Sequence, residues 1–164
     1  PLKTLLLMRH AKSSWKEGET ADIDRPLNKR GMRDAPRIGR LLREENLLPD
    51  GIYCSPALRA RMTAESVVDQ SGFMGELVFK DELYGADPET YLNIIRCLPE
   101  TLGRAMFIGH NPDLEELLEQ LCGDFHDIPT AGLAYLALPT QLWQDLTGST
   151  RGKLIYLWRP RDLP

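Results

Sequence analysis

Two histidines and two arginines stand where apolar runs stop. Leu5-Leu6-Leu7-Met8 leads directly into Arg9 and His10, and Ala105-Met106-Phe107-Ile108 leads into Gly109-His110-Asn111-Pro112. A third short run, Gly51 to Cys54, ends on Ser55, and Arg59 follows one helical turn later. Each residue alone has an ordinary explanation. His10 would be a hydrogen-bonded core histidine, Arg9 a solvated charge, Arg59 a partner for an acid on its own helix, and His110 a turn cap. Together they suit a doubly charged phosphate, because guanidinium forks match phosphate oxygens in a way an ammonium does not. A neutral imidazole can attack phosphorus in line and carry it as phosphohistidine. The arginines and a second, charged histidine would hold the equatorial oxygens as charge spreads over them. Asn111 lies beside His110, and Arg25 lies in a loop that can fold over the same rim.

For these residues to meet, the three runs must be parallel strands ending on one edge of a sheet. Open α/β sheets hold their ligands there, outside the carboxyl ends of the strands. The runs are apolar along their whole length, which suits strands buried on both faces. Lys3–Met8, Gly51–Cys54, Val78–Phe79, Ala105–Ile108, Leu133–Leu138 and Lys153–Trp158 read as strands. Gly31–Asn46 reads as a helix burying Met32, Ala35, Ile38, Leu41 and Leu42, with Pro36 in its first turns. Ser55-Pro56 looks like a helix cap followed by proline at the first helical position, with the helix reaching Gln70. Helix starts after Ser55 and Pro112 would add backbone N–H groups for an anion. Asp87-Pro88 opens a helix whose inner face is Tyr91, Ile94, Ile95 and Leu98. Asp113–Cys122 carries a stripe of Leu114, Leu117, Leu118 and Leu121. Ala11–Lys29 reads as one long loop, a length that is often functional. Strands alternating with helices predict an α/β protein: a three-layer α/β/α sandwich around a mostly parallel sheet.

The bulk numbers fit one domain spanning residues 1–164. With 42% hydrophobic and 27% charged residues, the composition is that of an ordinary globular protein. A net charge of -4 argues against nucleic acid as a partner, because phosphate-backbone binding leaves a basic footprint. No apolar run approaches the length of a membrane span or signal-peptide core. Cys54, Cys97 and Cys122 are widely spaced and form no CxxC, so they read as small buried hydrophobes in a reducing cytoplasm. There is no HxxxH, no paired-aspartate cluster, no GxxxxGK[ST] and no GxGxxG, so neither a metal nor a nucleotide cofactor is expected. Trp15, Trp143 and Trp158 read as packing residues, Ser13 and Ser14 as solvent-facing loop residues, and His126 as exposed. Lys12, Lys29 and Arg61 would add local positive potential.

Three segments carry a resemblance. LMRHA, SPALRARMTAE and FIGHNP resemble the histidine phosphatase superfamily, the phosphoglycerate-mutase-like group. DRPLNKRG, residues 24–31, resembles a segment of its short SixA-type phosphohistidine phosphatases. The resemblance runs from Lys3 to about Trp158, in order and with matching spacing. It implies a phosphoglycerate-mutase-like fold, His10 as nucleophile, and Arg9, Arg59 and His110 around the phosphate. It also implies that Arg25 lines the pocket. Many members carry an acidic proton donor; by position it would be Glu82 in KDELYG, with Asp81 adjacent. An exposed loop carboxylate is the equal alternative for Glu82. The usual RHG is RHA here, and Ala11 cannot take positive φ as cheaply as glycine.

These features predict a metal-independent phosphatase acting through phospho-His10, with phosphohistidine on a protein as substrate and the enzyme a monomer or weak dimer. SixA-type chains lack the insertions that cap small-metabolite pockets in longer relatives, and this chain is short too. Two other readings remain. One is a phosphatase of small phosphometabolites, such as a sugar phosphate or nucleotide, with Glu82 as acid. The other is a non-catalytic phosphate-binding module on the same fold.

Overall fold

The computed structural model describes residues 1–15 and 20–164. Six strands form one sheet: β1 (Thr4–Arg9), β2 (Gly51–Cys54), β3 (Leu77–Phe79), β4 (Arg104–Gly109), β5 (Leu133–Ala137) and β6 (Lys153–Trp158). Their order is β3-β2-β4-β1-β5-β6. β1, β2, β3 and β4 are mutually parallel, and β5 runs antiparallel between β1 and β6. The sheet is therefore mostly parallel, as the apolar runs predict. Among the described residues no helix is long and apolar enough to cross a membrane.

Alternation along the strands builds two cores. Leu5 and Leu7 of β1, with Ala105 and Phe107 of β4, pack against α3 (Pro88–Arg96) and α4 (Asp113–Cys122). Leu6 and Met8, with Met106 and Ile108, pack against α1 (Lys29–Glu44) and α2 (Leu58–Ser71). All eight strand side chains are fully buried. A fully buried leucine is worth about 1.5–3 kcal/mol, so these central strands are pinned from both faces. The residues at their ends are held by the fold and not by a mobile loop.

Register sets the site. Arg9 lies opposite Gly109, so His10 and His110 leave adjacent parallel strands at one level. Cys54 lies opposite Ile108, which puts Ser55 on the same rim. The His10 N–H donates to the Gly109 carbonyl at 3.0 Å, and the Ser55 N–H donates to Ile108 at 3.0 Å.

Several expectations need correction. α1 begins at Lys29 because the Asn28 side chain caps it, accepting the Gly31 N–H at 2.9 Å. Met32 then faces solvent, and Pro36 sits inside the helix. Gly31 is packed on the Lys12 carbonyl so closely that a Cβ would overlap it. α2 starts at Leu58, so Ser55 does not cap it. On α3, Leu92 is buried and Ile94 only half-buried. Cys97 is exposed at the end of α3, not a buried hydrophobe, while Cys54 is buried. The long loop contains a 3₁₀ turn at Asp22–Asp24 and a bridge between Ser13 and Leu27; residues 16–19 of that predicted loop lie outside the described residues.

Candidate active site

His10 and His110 face each other, with ring centroids 5.1 Å apart. Both are nearly buried. The Nδ1–H of His10 donates to the Ala11 carbonyl at 2.7 Å, which leaves the lone pair on Nε2. Burial above all pushes His10 down to about 3; the Ala11 carbonyl pulls it upward, and His110, Arg59 and Arg9 add smaller downward pushes. A free neutral imidazole is therefore available across the physiological range.

His110 is organised by Ser55. Ser55 Oγ accepts the Ala57 N–H at 3.2 Å and lies 2.7 Å from His110 Nε2. Having accepted from Ala57, the hydroxyl can donate its own proton to Nε2, which makes Nδ1–H the donor of the ring. That Nδ1 is buried without a partner. Burial first, then Arg59, lowers His110 to about 4, with Asp22 pulling the other way. The sequence predicts a charged second histidine; desolvation and the nearby guanidinium instead favour its neutral form.

The arginines repeat the pattern. Arg9 Nη1 donates to the Ile128 carbonyl at 3.1 Å, and its Nε is buried with no partner. Burial lowers the Arg9 pKa, opposed by Glu115 and Asp127. Arg59, in the first turn of α2, donates from Nη1 to the Asp22 carbonyl at 2.7 Å and from Nη2 to Asp22 Oδ2 at 3.1 Å; its Nε is also buried and unpartnered. Near His10, among the described residues, three buried N–H donors make no hydrogen bond: Arg9 Nε, Arg59 Nε and, in the tautomer set by Ser55, His110 Nδ1. Buried donors normally find partners. A tetrahedral anion would satisfy all three.

The other predicted residues take different places. Arg25 is buried in the loop, donating to Asp22 Oδ1 at 3.0 Å, Ser13 Oγ at 2.8 Å and the Ser14 carbonyl at 3.3 Å. Ser13 is buried, not solvent-facing, because it receives that guanidinium. Trp15 does not pack inward; it is exposed, with Arg25 stacked 3.6 Å from its ring centre. Asn111 Nδ2 donates to the Ile128 carbonyl at 2.8 Å, beside Arg9. Glu82 is exposed on a 3₁₀ turn, Asp81–Leu83, and the side chain from that segment that reaches the site is Tyr84. Its ring meets His110 edge-on at 5.6 Å. His126 is half-buried, and Ala131, one residue past Thr130, donates its N–H to the carbonyls of Arg9 and His10.

Ala11 fits where glycine is usual. It is fully buried, its N–H donates to Thr63 Oγ1 at 3.0 Å, and it is not among the residues with positive φ. The position therefore asks for a small side chain, not for glycine's freedom. Asp22 and Tyr84 were not singled out for the site from sequence, and Ser55 was placed on the rim without a role toward His110. Ser55 carried a signal, but one read as a helix cap. Asp22 and Tyr84 carry none, being common loop residues joined only by the folded chain.

A mostly parallel α/β sandwich with two histidines and two arginines converging at its carboxyl edge defines a class of anion-binding, phosphoryl-handling folds. The model of the histidine phosphatase superfamily (branch 1) matches residues 5–87, and the chain belongs to that superfamily. An uncharacterized protein of Mycobacterium leprae (strain TN) is 32% identical over 152 residues, covering 85% of this chain and 91% of its own length. Among solved structures, a candidate phosphohistidine phosphatase SixA from Agrobacterium tumefaciens is 32% identical, with TM-score 0.84 over 97% of this chain and 99% of that one. Another, from Nakamurella multipartitia, is 25% identical, with TM-score 0.85 over 98% and 97%.

Proposed function

We propose that the protein is a metal-independent phosphatase of phosphohistidine on cytoplasmic proteins, working through a phosphorylated His10. The observation that carries this reading is the ring of three unpartnered buried donors around a neutral histidine. The likeness to two candidate SixA phosphohistidine phosphatases supports the choice of substrate.

The chemistry balances without an added acid. His10 Nε2 forms a P–N bond as the substrate's P–N bond breaks. The substrate ring, already protonated on its distal nitrogen, departs as neutral imidazole. Phospho-His10 keeps its Nδ1–H and is cationic on the ring, and the Ala11 carbonyl at 2.7 Å stabilises that charge. Water then attacks phosphorus, the P–N bond breaks, dihydrogen phosphate leaves and neutral His10 returns. Arg9, Arg59 and His110 hold the equatorial oxygens in both steps.

An alkyl phosphate leaves as an alkoxide and needs a proton, so it would depend on an acid such as Glu82. The test compares turnover of a phosphohistidine peptide and a simple alkyl phosphate by the parent and by Glu82→Gln. The proposal expects a strong preference for phosphohistidine and no more than a twofold effect of the substitution on it. Comparable rates on both substrates, with the alkyl ester collapsing in Glu82→Gln, would favour a small-metabolite phosphatase instead.

A further inference from the structure

Among the described residues, one carboxylate makes an ion pair with an arginine of the cradle. Asp22 opens the 3₁₀ turn at Asp22–Asp24, and every acceptor it owns is turned to the site. Oδ1 accepts from Arg25 Nε at 3.0 Å. Oδ2 accepts from Arg59 Nη2 at 3.1 Å and from the Tyr84 hydroxyl at 2.5 Å. The backbone carbonyl accepts from Arg59 Nη1 at 2.7 Å. Three separate segments therefore meet on one aspartate: the loop after β1, the start of α2, and the turn that carries Tyr84.

Two simpler roles do not account for this. A proton donor must hold a proton, yet the Tyr84 hydroxyl, then Arg25 and Arg59, keep Asp22 down at about 2. A plain surface salt bridge contributes little to stability, and the Asp22 side chain is 49% exposed. What the contacts do is orient. The guanidinium is a planar fork with five N–H donors. Asp22 takes its Nη1 and Nη2 with a carbonyl and a carboxylate oxygen. That leaves the side edge, led by the buried and unpartnered Nε–H, for the anion next to His10.

We propose that Asp22 is a positioning residue of the active site: braced by Tyr84, it grips the far end of Arg59 so that the Nε–H edge meets the phosphoryl group, and it ties Arg25 and its loop to the same rim. The inference rests on the phosphoryl-transfer reading above. Asp22 touches no reacting atom and acts through Arg59.

The test uses the full chain. Turnover of a phosphohistidine peptide and calorimetric binding of tungstate are measured for the parent, Asp22→Asn, Arg59→Ala and the double variant. Misplacing a group that holds a transition state costs on the order of 10²-fold, so Asp22→Asn should lose about 10- to 100-fold in kcat/KM and bind tungstate more weakly. In the Arg59→Ala background the same substitution should lose at most about 2-fold, because its main target is gone and only its hold on Arg25 is left. Tyr84→Phe removes one oxygen from an exposed residue and should give a smaller loss of the same kind. Parent-like turnover and tungstate affinity in Asp22→Asn, no loss in Tyr84→Phe, or losses that multiply in the double variant would each overturn the role. A parent that neither turns over the peptide nor binds tungstate would instead defeat the phosphatase reading itself.

Discussion

A neutral His10 with its Nδ1–H held by Ala11 keeps its Nε2 lone pair free, as the proposed nucleophile requires, and a Ser55 hydroxyl donating to Nε2 makes His110 Nδ1–H a donor. The second dependence is testable. Ser55→Ala removes the hydroxyl that selects the His110 tautomer, so the ring can present a lone pair to the anion in place of Nδ1–H. Loss of one preorganised donor costs on the order of 10²-fold, and partial loss through a tautomer about 10-fold. We expect kcat/KM to fall by about 10-fold and denaturant stability to fall by about 1–3 kcal/mol, because the buried Ala57 N–H and His110 Nε2 lose their partner. Unchanged kcat/KM would remove Ser55 from the site. At this scale the sequence was legible where residue type is rare and placement abrupt: Arg9, His10, Arg59 and His110 all reach the rim. Asp22 and Tyr84, and the role of Ser55 toward His110, were hidden because an aspartate, a tyrosine or a serine acquires such a role only through contacts across 37 residues or more.

Elements position these residues through close backbone approach. At the end of β4, Gly109 lies against the Tyr91 hydroxyl of α3, and a Cβ there would overlap the oxygen. That hydroxyl is buried and has no partner. Gly109→Ala should therefore destabilise by about 1–3 kcal/mol through overpacking. Tyr91→Phe removes the colliding atom, so the alanine should cost much less in that background. Chemical denaturation of the four forms of this cycle measures it; additive losses would contradict the contact. The turn before β5 shows a related device. Ala131 adopts φ 60°, unusual for alanine, and from there its N–H reaches the carbonyls of Arg9 and His10. Periodicity made the central strands legible, since four apolar residues in a row read the same in any α/β sheet. It misplaced helix starts. Asn28 outcompeted Gly31 as the boundary of α1 and turned Met32 outward, and Ser55 spent its hydroxyl on His110 and Ala57 instead of capping α2.

For the whole molecule, two neutral histidines in one pocket link folding to pH. In the unfolded chain each binds a proton near pH 6.5. In the fold they do so only near 3 for His10 and 4 for His110. Their contribution to stability is present above pH 6.5 and is lost as pH falls toward those lower values, because the unfolded state then binds more protons. Each histidine adds a slope of up to about 1.4 kcal/mol per pH unit in that window. Denaturation at pH 7 and pH 5 should show lower stability at pH 5, with a smaller difference in His10→Asn/His110→Gln. Equal pH dependence in parent and double variant would mean the rings are not neutral in the fold. The same pocket makes the central claim directly accessible. Rapid alkaline-quench experiments with a labelled phosphohistidine peptide should trap label on the peptide that contains His10, as an acid-labile, alkali-stable phosphoenzyme absent from His10→Ala. Turnover with no label on His10, or label and turnover retained by His10→Ala, would contradict the account.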